Sequence, residues 1–211
     1  KDFFMLIDSG ANVDCKPEML QQFGIMGSIY MNKVMGVANP RVGLANVGTE
    51  DHKGGELQHE AFALLKQAPV NFIGNIEARD IPADAADVIV ADGFTGNCIL
   101  KLYEGVAMVL MSKLKGIFTK SVKNKLAAAM VLSDVKELKK TMDYNEYGGA
   151  PIMGASKPVF KAHGSAKAKT FKNALRLTKA YVEGNVVDEI SASIRAINIA
   201  AKEQGRESTA E

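Results

Sequence analysis

The sequence is poor in the residue types that build disulfide frameworks and metal centres. Its 211 residues include two cysteines, three histidines and no tryptophan. Cys15 and Cys98 form neither a disulfide framework nor a metal-ligand spacing, and no H-E-x-x-H or C-x-x-C pattern occurs. These absences predict no metal site built by the protein, and they favour a reducing cytoplasm over secretion.

The chain also lacks a signal-peptide pattern and any uncharged run of 18 residues, which predicts neither secretion nor a membrane span. Its net charge of +2 and isoelectric point near 8.4 fall short of the basic character of a nucleic-acid-binding domain, so no nucleic-acid partner is expected. Hydrophobic residues make up 47% of the chain, which suffices for a large core. A strand-like run stands at residues 3–7 without an initiating Met, and we interpret this as a sign that further residues precede it in a longer protein.

Strand-like and helical patterns alternate along the chain. Short apolar runs, several rich in β-branched residues, lie at 3–7, 41–47, 70–73, 87–91 and 158–162. Between them apolar residues recur with the 3.6 period of helices, one of which begins at Pro17, and two more helices follow the last strand. This alternation predicts one α/β domain over residues 1–211, with helices packed on a mostly parallel, doubly wound sheet.

A long helical segment interrupts the alternation at about residues 98–142. Its pattern predicts two helices, broken between Gly116 and Ser121, the first apolar nearly all round and the second amphipathic and rich in lysine. A helix that is apolar all round is either fully buried or packed against a partner. Two interpretations follow: a core helix pair with a solvated basic face, or a projecting hairpin that builds part of a dimer interface and contacts an anionic membrane with its tip.

Five polar loops follow the predicted strands, at residues 8–12, 46–55, 74–80, 92–97 and 163–165. Each is rich in Gly, Asn, Asp or His. In doubly wound sheets, ligands bind outside the carboxyl ends of the strands, where such loops gather. The pattern therefore predicts an active-site rim at that edge.

The loop at 46–55 combines glycines, one lysine and the start of a helix. Lys53 precedes Gly54 and Gly55 and no hydroxyl residue follows, so this is not a Walker phosphate loop, and no G-x-G-x-x-G dinucleotide motif occurs in the chain. Backbone N–H groups at a helix start, permissive glycines and one ammonium group nevertheless predict an anion site, with Gly48 and Thr49 as further binding residues. The alternative is an ordinary strand-to-helix turn with a solvated lysine.

Two further loops carry candidate site residues. In the loop at 92–97, Gly93 and Gly96 permit a sharp turn into a helix, and Asn97 is suited to cap that helix, which by itself explains its presence. His163 follows the last predicted strand, with Ser165 two residues on. A lone histidine is more often structural than catalytic, but its predicted position on the same rim favours a functional role.

Taken in order, six segments resemble the phosphate acyltransferase (PlsX) family of bacterial phospholipid synthesis. They are D-S-G-A-N-V-D-C-K-P at 8–17, N-V-G-T-E-D-H-K-G-G-E at 46–56, N-F-I-G-N-I-E-A-R-D at 71–80, D-G-F-T-G-N at 92–97, Y-G-G-A-P at 147–151 and K-A-H-G-S at 161–165. The resemblance extends from residue 1 to about residue 187 and corresponds to the C-terminal part of the family's enzyme. The family usually has Lys-Gly-Asn where this chain has Lys53-Gly54-Gly55.

The resemblance implies a reaction in which acyl-[acyl carrier protein] and inorganic phosphate give acyl phosphate and free carrier protein. It also implies a three-layer α/β/α fold like that of isocitrate and isopropylmalate dehydrogenases, a homodimer and no cofactor. Because phosphate is itself the nucleophile, the enzyme needs to supply proximity and oxyanion stabilisation. We assign Lys53, Asn97 and His163 as catalytic candidates. Phosphate and substrate binding is expected from Gly48, Thr49, Gly54, Gly55, Asp92, Gly93, Gly96 and Ser165.

Two rival functions share these sequence features. One is an acyl-CoA:phosphate acyltransferase of the phosphotransacetylase type, with the same chemistry but a different acyl carrier. The other is a non-catalytic anion-binding module. A carrier protein would need a basic docking surface, for which the candidates are Lys33, Arg41, Lys167 and Lys169.

Overall fold

The computed structural model describes residues 3–141, 148–162, 164 and 166–207. Its centre is a four-stranded sheet with the strand order β1-β4-β2-β3, in which every neighbouring pair is parallel. The strands are β1 (Met5–Ile7), β2 (Arg41–Asn46), β3 (Asn71–Glu77) and β4 (Val88–Val90). The predicted α/β class with a parallel sheet is therefore confirmed. The dehydrogenase-like form of that fold stays a prediction.

The helices that connect these strands supply the core on both faces of the sheet. Helix α1 spans Pro17–Lys33, α2 spans Glu56–Gln67, and a 3₁₀ helix spans Ala78–Ala83. Val88 and Val90 of β4 pack on the face that carries α1 and α2, whereas Ile89 between them packs on the opposite face. This alternation is the period-2 geometry of a strand that is buried on both sides.

The third strand is longer than its sequence predicts. The apolar run ends at Ile73, but β3 continues to Glu77 because it pairs with β2 as far as Asn46, with an irregularity between Val42 and Gly43. The rim loop predicted to begin at Gly74 therefore begins after Glu77. Periodicity missed this extension because Gly74, Asn75 and Glu77 interrupt the apolar pattern and are held in the strand by pairing with β2.

Helix α3 (Gly93–Thr119) begins earlier than predicted and leads into two further helices, α4 (Val122–Met130) and α5 (Leu132–Thr141). The break predicted between residues 116 and 121 lies at residues 120–121, where the Ser121 hydroxyl accepts a hydrogen bond from the Asn124 N–H and caps α4. The segment thus contains three helices instead of two. A second break at Val131 separates α4 from α5.

The apolar residues of α3 are not buried within this chain. Leu102, Val106, Met108, Val109 and Leu110 are all more than half exposed. Because α3 is 27 residues long, it extends about 40 Å, and beyond its first turns it packs against α4. The described residues do not bury these side chains as a core helix pair would, and the prediction that the segment α3–α5 projects from the domain as an arm stays a prediction. None of the described helices combines the length and apolar character that a membrane span requires.

The last predicted strand does not join the parallel sheet. Strand β6 (Phe160–Lys161) pairs antiparallel with β5 (Ala150–Pro151) in a separate two-stranded sheet. The prediction that residues 163–165 follow a strand of the main sheet is therefore wrong, since strand propensity does not specify a pairing partner. Helices α6 (Ala168–Glu183) and α7 (Val186–Glu207) follow and pack on α1.

Candidate functional site

The carboxyl ends of the four parallel strands bring four loops to one edge of the sheet. The loop after β1 lies beside the loop after β4, because these strands are neighbours, and the loop after β4 lies beside the loop after β2. This arrangement confirms that residues 8–12, 46–55 and 92–97 share an edge. The site has two parts, one at the start of α2 and one at the start of α3.

The loop before α2 is closed by Asn46, the last residue of β2. The Asn46 side chain donates a hydrogen bond of 2.9 Å to the carbonyl oxygen of Lys53 and accepts one of 2.8 Å from the N–H of Val47. Gly54 has a φ of +98°, and a Cβ at this position would lie 2.6 Å from the Asn46 side-chain oxygen. Asn46 therefore holds the two ends of the loop together, and Gly54 is required both for the turn and for this close contact.

A second asparagine supports the loop from the neighbouring strand. Asn75 on β3 is only 5% exposed, and its Nδ2 donates a 2.8 Å hydrogen bond to the carbonyl oxygen of Glu50. The same carbonyl accepts a bond of 3.1 Å from the N–H of Lys53. The Oδ1 atom of Asn75 is buried without a hydrogen-bond partner in the part of the chain that the structure describes. The sequence signal for Asn75 was an amide between the apolar residues Ile73 and Ile76.

The Lys53 side chain packs along the loop with its ammonium group near solvent. A Cβ on the buried Gly48 would lie 3.0 Å from Cγ of Lys53, so glycine leaves room for the lysine stem. Lys53 Nζ lies 4.0 Å from Glu50 Oε1, and both side chains are about half exposed. An exposed pair at this distance is weak, so the ammonium group remains available to an anion. The neighbouring Asp51 carboxylate lies 3.7 Å from Lys66 instead.

The N-terminus of α2 opens beside Lys53 without a capping side chain of its own. Gly55 occupies the cap position, and its N–H donates to Oε1 of Gln58 at 3.1 Å. The N–H groups of Glu56 and Leu57 find no acceptor among the described residues. Unpaired N–H groups at a helix start carry partial positive charge and attract anions. Predicted site residues Thr49 and Gly55 are exposed at this end of the loop.

In the loop after β1, the Asp8 carboxylate is the organising group. It is 8% exposed and accepts hydrogen bonds from the N–H groups of Gly10, Ala11 and Asn12 and from the Asn12 side chain, at 2.6–3.0 Å. Burial raises the pKa of Asp8, but these hydrogen bonds outweigh burial, so its pKa lies below the ordinary value of 3.8. Asp8 is therefore a structural carboxylate that fixes the loop.

The start of α3 is filled by groups of the protein itself. The Asp92 carboxylate accepts hydrogen bonds from the N–H and the hydroxyl of Thr95 at 2.8 and 2.7 Å, and the N–H of Gly93 donates to the carbonyl of Asn12 at 2.8 Å. Asp92, and not Asn97, is thus the N-cap of α3, so the capping prediction for Asn97 is wrong. The sequence did not show which carboxylate or amide would have a helical N–H within reach.

Gly93 and Gly96 are glycines because the loop after β1 lies against them. A Cβ on Gly96 would clash with the backbone oxygen of Asp8, and one on Gly93 would clash with that of Asn12. Because Asn97 does not cap the helix, its side chain is exposed and lies over the same loop. A Cβ on Gly10 would lie 3.4 Å from Oδ1 of Asn97. The structural roles of Asp92, Gly93 and Gly96 are thus clear, and their predicted role in substrate binding stays a prediction.

Two of the predicted site residues, His163 and Ser165, lie outside the described residues. Two residues that the sequence analysis did not select, Asn46 and Asn75, hold the loop before α2 in place. Asn46 lies at the boundary of a predicted strand and loop, where a helix or turn cap is often found. Its role could have been inferred from that position.

Together, these elements define an α/β protein in which Lys53 and an uncapped helix start lie at the carboxyl edge of a parallel sheet, where the anion site is predicted. A family described as "Fatty acid synthesis protein" matches residues 1–189. The chain is 53% identical over 194 residues to a protein of Oceanobacillus iheyensis named phosphate acyltransferase, and this match covers 92% of the chain and 58% of the relative. The chain therefore belongs to the fatty acid synthesis protein family.

Other relatives with the same name show similar likeness. The protein of Geobacillus thermodenitrificans is 52% identical over 191 residues, covering 90% of this chain and 58% of that protein. The protein of Clostridium acetobutylicum is 46% identical over 195 residues, covering 92% of this chain and 59% of that protein. The chain thus spans about three-fifths of the length of the curated relatives it matches.

Proposed function

We propose that this protein transfers a fatty acyl group from the thioester of an acyl carrier protein to inorganic phosphate. The products are acyl phosphate and the free carrier thiol. The observation that carries the proposal is the open start of α2, where Lys53 and the unpaired N–H groups of Glu56 and Leu57 converge on one edge of the sheet. The name of the relatives, phosphate acyltransferase, supports acyl transfer to phosphate.

The chemistry needs no nucleophile from the protein. An oxygen of phosphate attacks the thioester carbonyl carbon, the C–S bond breaks with its electron pair on sulfur, and the proton of hydrogen phosphate passes to the thiolate. Phosphate is already anionic at neutral pH, so the site must hold it in position and stabilise the oxyanion of the tetrahedral intermediate. Lys53, Gly48, Thr49, Gly54 and Gly55 bind the phosphate in this scheme.

The remaining candidates act at the other part of the site. Asn97 is exposed at the start of α3 and offers its amide to the thioester oxyanion, with His163 near the leaving thiolate. Asp92, Gly93 and Gly96 act indirectly in this scheme, by holding the start of α3, and with it Asn97, against the loop after β1, and Ser165 stays a predicted substrate-binding residue. The exposed position of Asn97 over the Asp8 loop supports this division of roles.

The projecting arm serves assembly and location in this proposal. Its exposed apolar side chains on α3 form a homodimer interface with a second copy, since a patch of this size is rarely left in water. Its tip, at residues 116–125, carries lysines and the exposed Ile117 and Val122, and makes peripheral contact with anionic membrane. The protein is thus cytoplasmic with a membrane-associated fraction.

The test of the reaction is the formation of acyl phosphate, trapped with hydroxylamine. The full chain is incubated with phosphate and either acyl-carrier protein or acyl-CoA. Faster turnover with the carrier protein supports the proposal, whereas a preference for acyl-CoA favours the phosphotransacetylase-type alternative. Phosphate binding without turnover of either thioester would indicate a non-catalytic anion-binding module.

Direct attack by phosphate also excludes an acyl-enzyme. When the protein is incubated with acyl-carrier protein in the absence of phosphate, its intact mass should not change. A stoichiometric acyl adduct on Cys98, Ser9 or Ser165 would overturn the direct mechanism.

A further inference from the structure

The second half of the chain contains a long segment with charge of one sign. Residues 147–182 include seven lysines and arginines and neither aspartate nor glutamate. The whole chain has a net charge of only +2, so the remainder of the molecule is net acidic. This segment ends in α6, which presents an exposed face to solvent.

Helix α6 divides into three strips along its length. Its buried strip packs on α1 and α7 and consists of Thr170, Ala174, Leu177 and Tyr181. An apolar strip lies beside it: Phe171, Leu175 and Val182 are 56%, 69% and 57% exposed. A basic strip with Lys172, Arg176 and Lys179 lies on the far side of these apolar residues, as a rotation of about 100° per residue requires.

The basic strip is largely free of internal partners. Lys172 and Arg176 form no ion pair with any residue that the structure describes, and Lys179 has a single exposed pair with Glu183 at 3.6 Å. Two cations from other elements are occupied: Lys33 pairs with Glu189 at 2.9 Å, and Arg41 with Asp84 and Asp87 at 2.7 and 3.0 Å. Hydrogen bonds to Asp87 and Asp84 raise the pKa of Arg41. Neither of these two is therefore a strong candidate for recruiting an acidic partner.

We propose that the outer face of α6, formed by its apolar and basic strips, docks an acidic amphipathic helix of the acyl carrier protein. This inference rests on the proposed function and names the surface that its protein substrate uses. From Phe171 to Val182 the apolar strip is about 16 Å long, which matches three turns of a partner helix. The flanking cations complement acidic residues on that helix and steer its approach.

The geometry favours a protein helix over a lipid surface. One strip of α6 is packed into the domain, so the helix cannot sink into a bilayer as a free amphipathic helix does. What it offers is a narrow apolar strip with charges along one side only. This is the form of a helix-to-helix contact with a polar rim.

The experiment measures binding of unacylated carrier protein to the full chain by fluorescence anisotropy. The test variant is Lys172→Glu plus Arg176→Glu. The control variant is Arg195→Glu plus Lys202→Glu on α7, which makes the same change in net charge at exposed positions. The test variant should bind at least ~10-fold more weakly at low salt, with the difference shrinking at 0.5 M salt, and the control should bind within about twofold of wild type.

A Leu175→Ser variant examines the apolar strip separately. It should weaken carrier binding about equally at low and high salt, because the contact is not electrostatic. Equal weakening by the α6 and α7 reversals would mean that net charge and not the α6 face recruits the carrier. That result would overturn the proposal. So would unchanged carrier binding together with altered oligomeric state, or with lost binding to anionic vesicles, since a second copy or a membrane would then occupy α6.

Turnover of a small acyl thioester that lacks the carrier protein separates this inference from the proposed function. The α6 variants should convert acyl-pantetheine and phosphate to acyl phosphate at the wild-type rate. If wild type binds carrier protein through α6 but converts no thioester, the function fails and the docking surface stands. If turnover is normal and the α6 reversal leaves carrier binding unchanged, the function stands and the docking surface fails.

Discussion

The two helix starts at the carboxyl edge of the sheet carry similar sequences and have opposite electrostatic character. Both follow a central strand, and both contain glycines and polar residues. At α2 the cap is Gly55, the N–H groups of Glu56 and Leu57 are open, and Lys53 lies alongside. At α3 the Asp92 carboxylate takes up the helical N–H of Thr95. The start of α2 therefore has N–H groups free for an external anion, whereas a carboxylate of the protein already occupies the start of α3.

The largest effect is expected from a substitution that disrupts the close contact between α3 and the loop after β1. Gly96→Ala puts a Cβ into the backbone of Asp8, which must shift, so we expect a loss of ~3 kcal/mol or more in the free energy of unfolding, measured with urea. Gly105→Ala on the same helix is the control, since a Cβ there meets nothing within 4 Å. It should stabilise the protein by about 0.5–1 kcal/mol. Equal effects of the two substitutions would contradict the close approach of α3 to the Asp8 loop.

Substitution of Lys53 should show that the start of α2, and not the start of α3, binds phosphate. Lys53→Ala should raise the KM for phosphate and lower kcat/KM by at least ~10-fold, because a charge-assisted contact contributes about 1.5–3 kcal/mol. Lys53→Arg should recover part of the loss, and Arg195→Ala, at an exposed position on α7, should change phosphate kinetics little. If the folded Lys53→Ala variant has unaltered phosphate kinetics, Lys53 and the start of α2 do not bind phosphate.

The cap of α3 should contribute to stability without binding phosphate. Asp92→Ala should lower the free energy of unfolding by about 1 kcal/mol, and Asp92→Ser, which keeps a capping oxygen, should lower it less. If Asp92 serves only as a cap, neither Asp92→Ala nor Asp92→Ser should change the KM for phosphate. A phosphate KM that changes in both variants while stability stays constant would instead place Asp92 in the binding site.

The smallest effect is expected in the acid range, from Asp8. Because its folded pKa lies below the unfolded value of about 3.8, ionised Asp8 stabilises the fold above that pH, and this contribution is lost as the pH falls through the folded pKa. Burial opposes the hydrogen bonds, which keeps the net effect modest. Asp8→Asn should therefore flatten the dependence of unfolding free energy on pH below about 4, measured by urea titration at several pH values. An unchanged slope would show that Asp8 is not the group concerned.

Local sequence signals located both loops at the sheet edge but did not show how the two helix starts differ. The glycines, Lys53 and the polar strand ends predicted where the loops gather. Asn97 was assigned as the cap because amides cap helices as well as carboxylates do. The choice between Asp92 and Asn97 depends on which side chain reaches the Thr95 N–H, and the position of the Asp8 loop against Gly93 and Gly96 decides where the helix begins.

The sequence by itself determined the elements whose signals are local. Pro17 marked the first residue of α1, and the period of apolar residues marked the face that α2 lays on the sheet, with Ala61 and Leu65 buried. These features depend on backbone geometry and side chains within a few turns, so they can be read without knowing the fold.

Tertiary structure alone decided the features that depend on distant partners. Pairing with β2 extended β3 to Glu77, and antiparallel pairing with β5 placed β6 outside the main sheet. An apolar pattern of this kind can bury a helix, but α3 is largely exposed, because among the described helices and strands only β1 and α4 pack closely against it. Periodicity specifies which side of an element is apolar, and only the spatial arrangement of the other elements specifies what, if anything, covers that side.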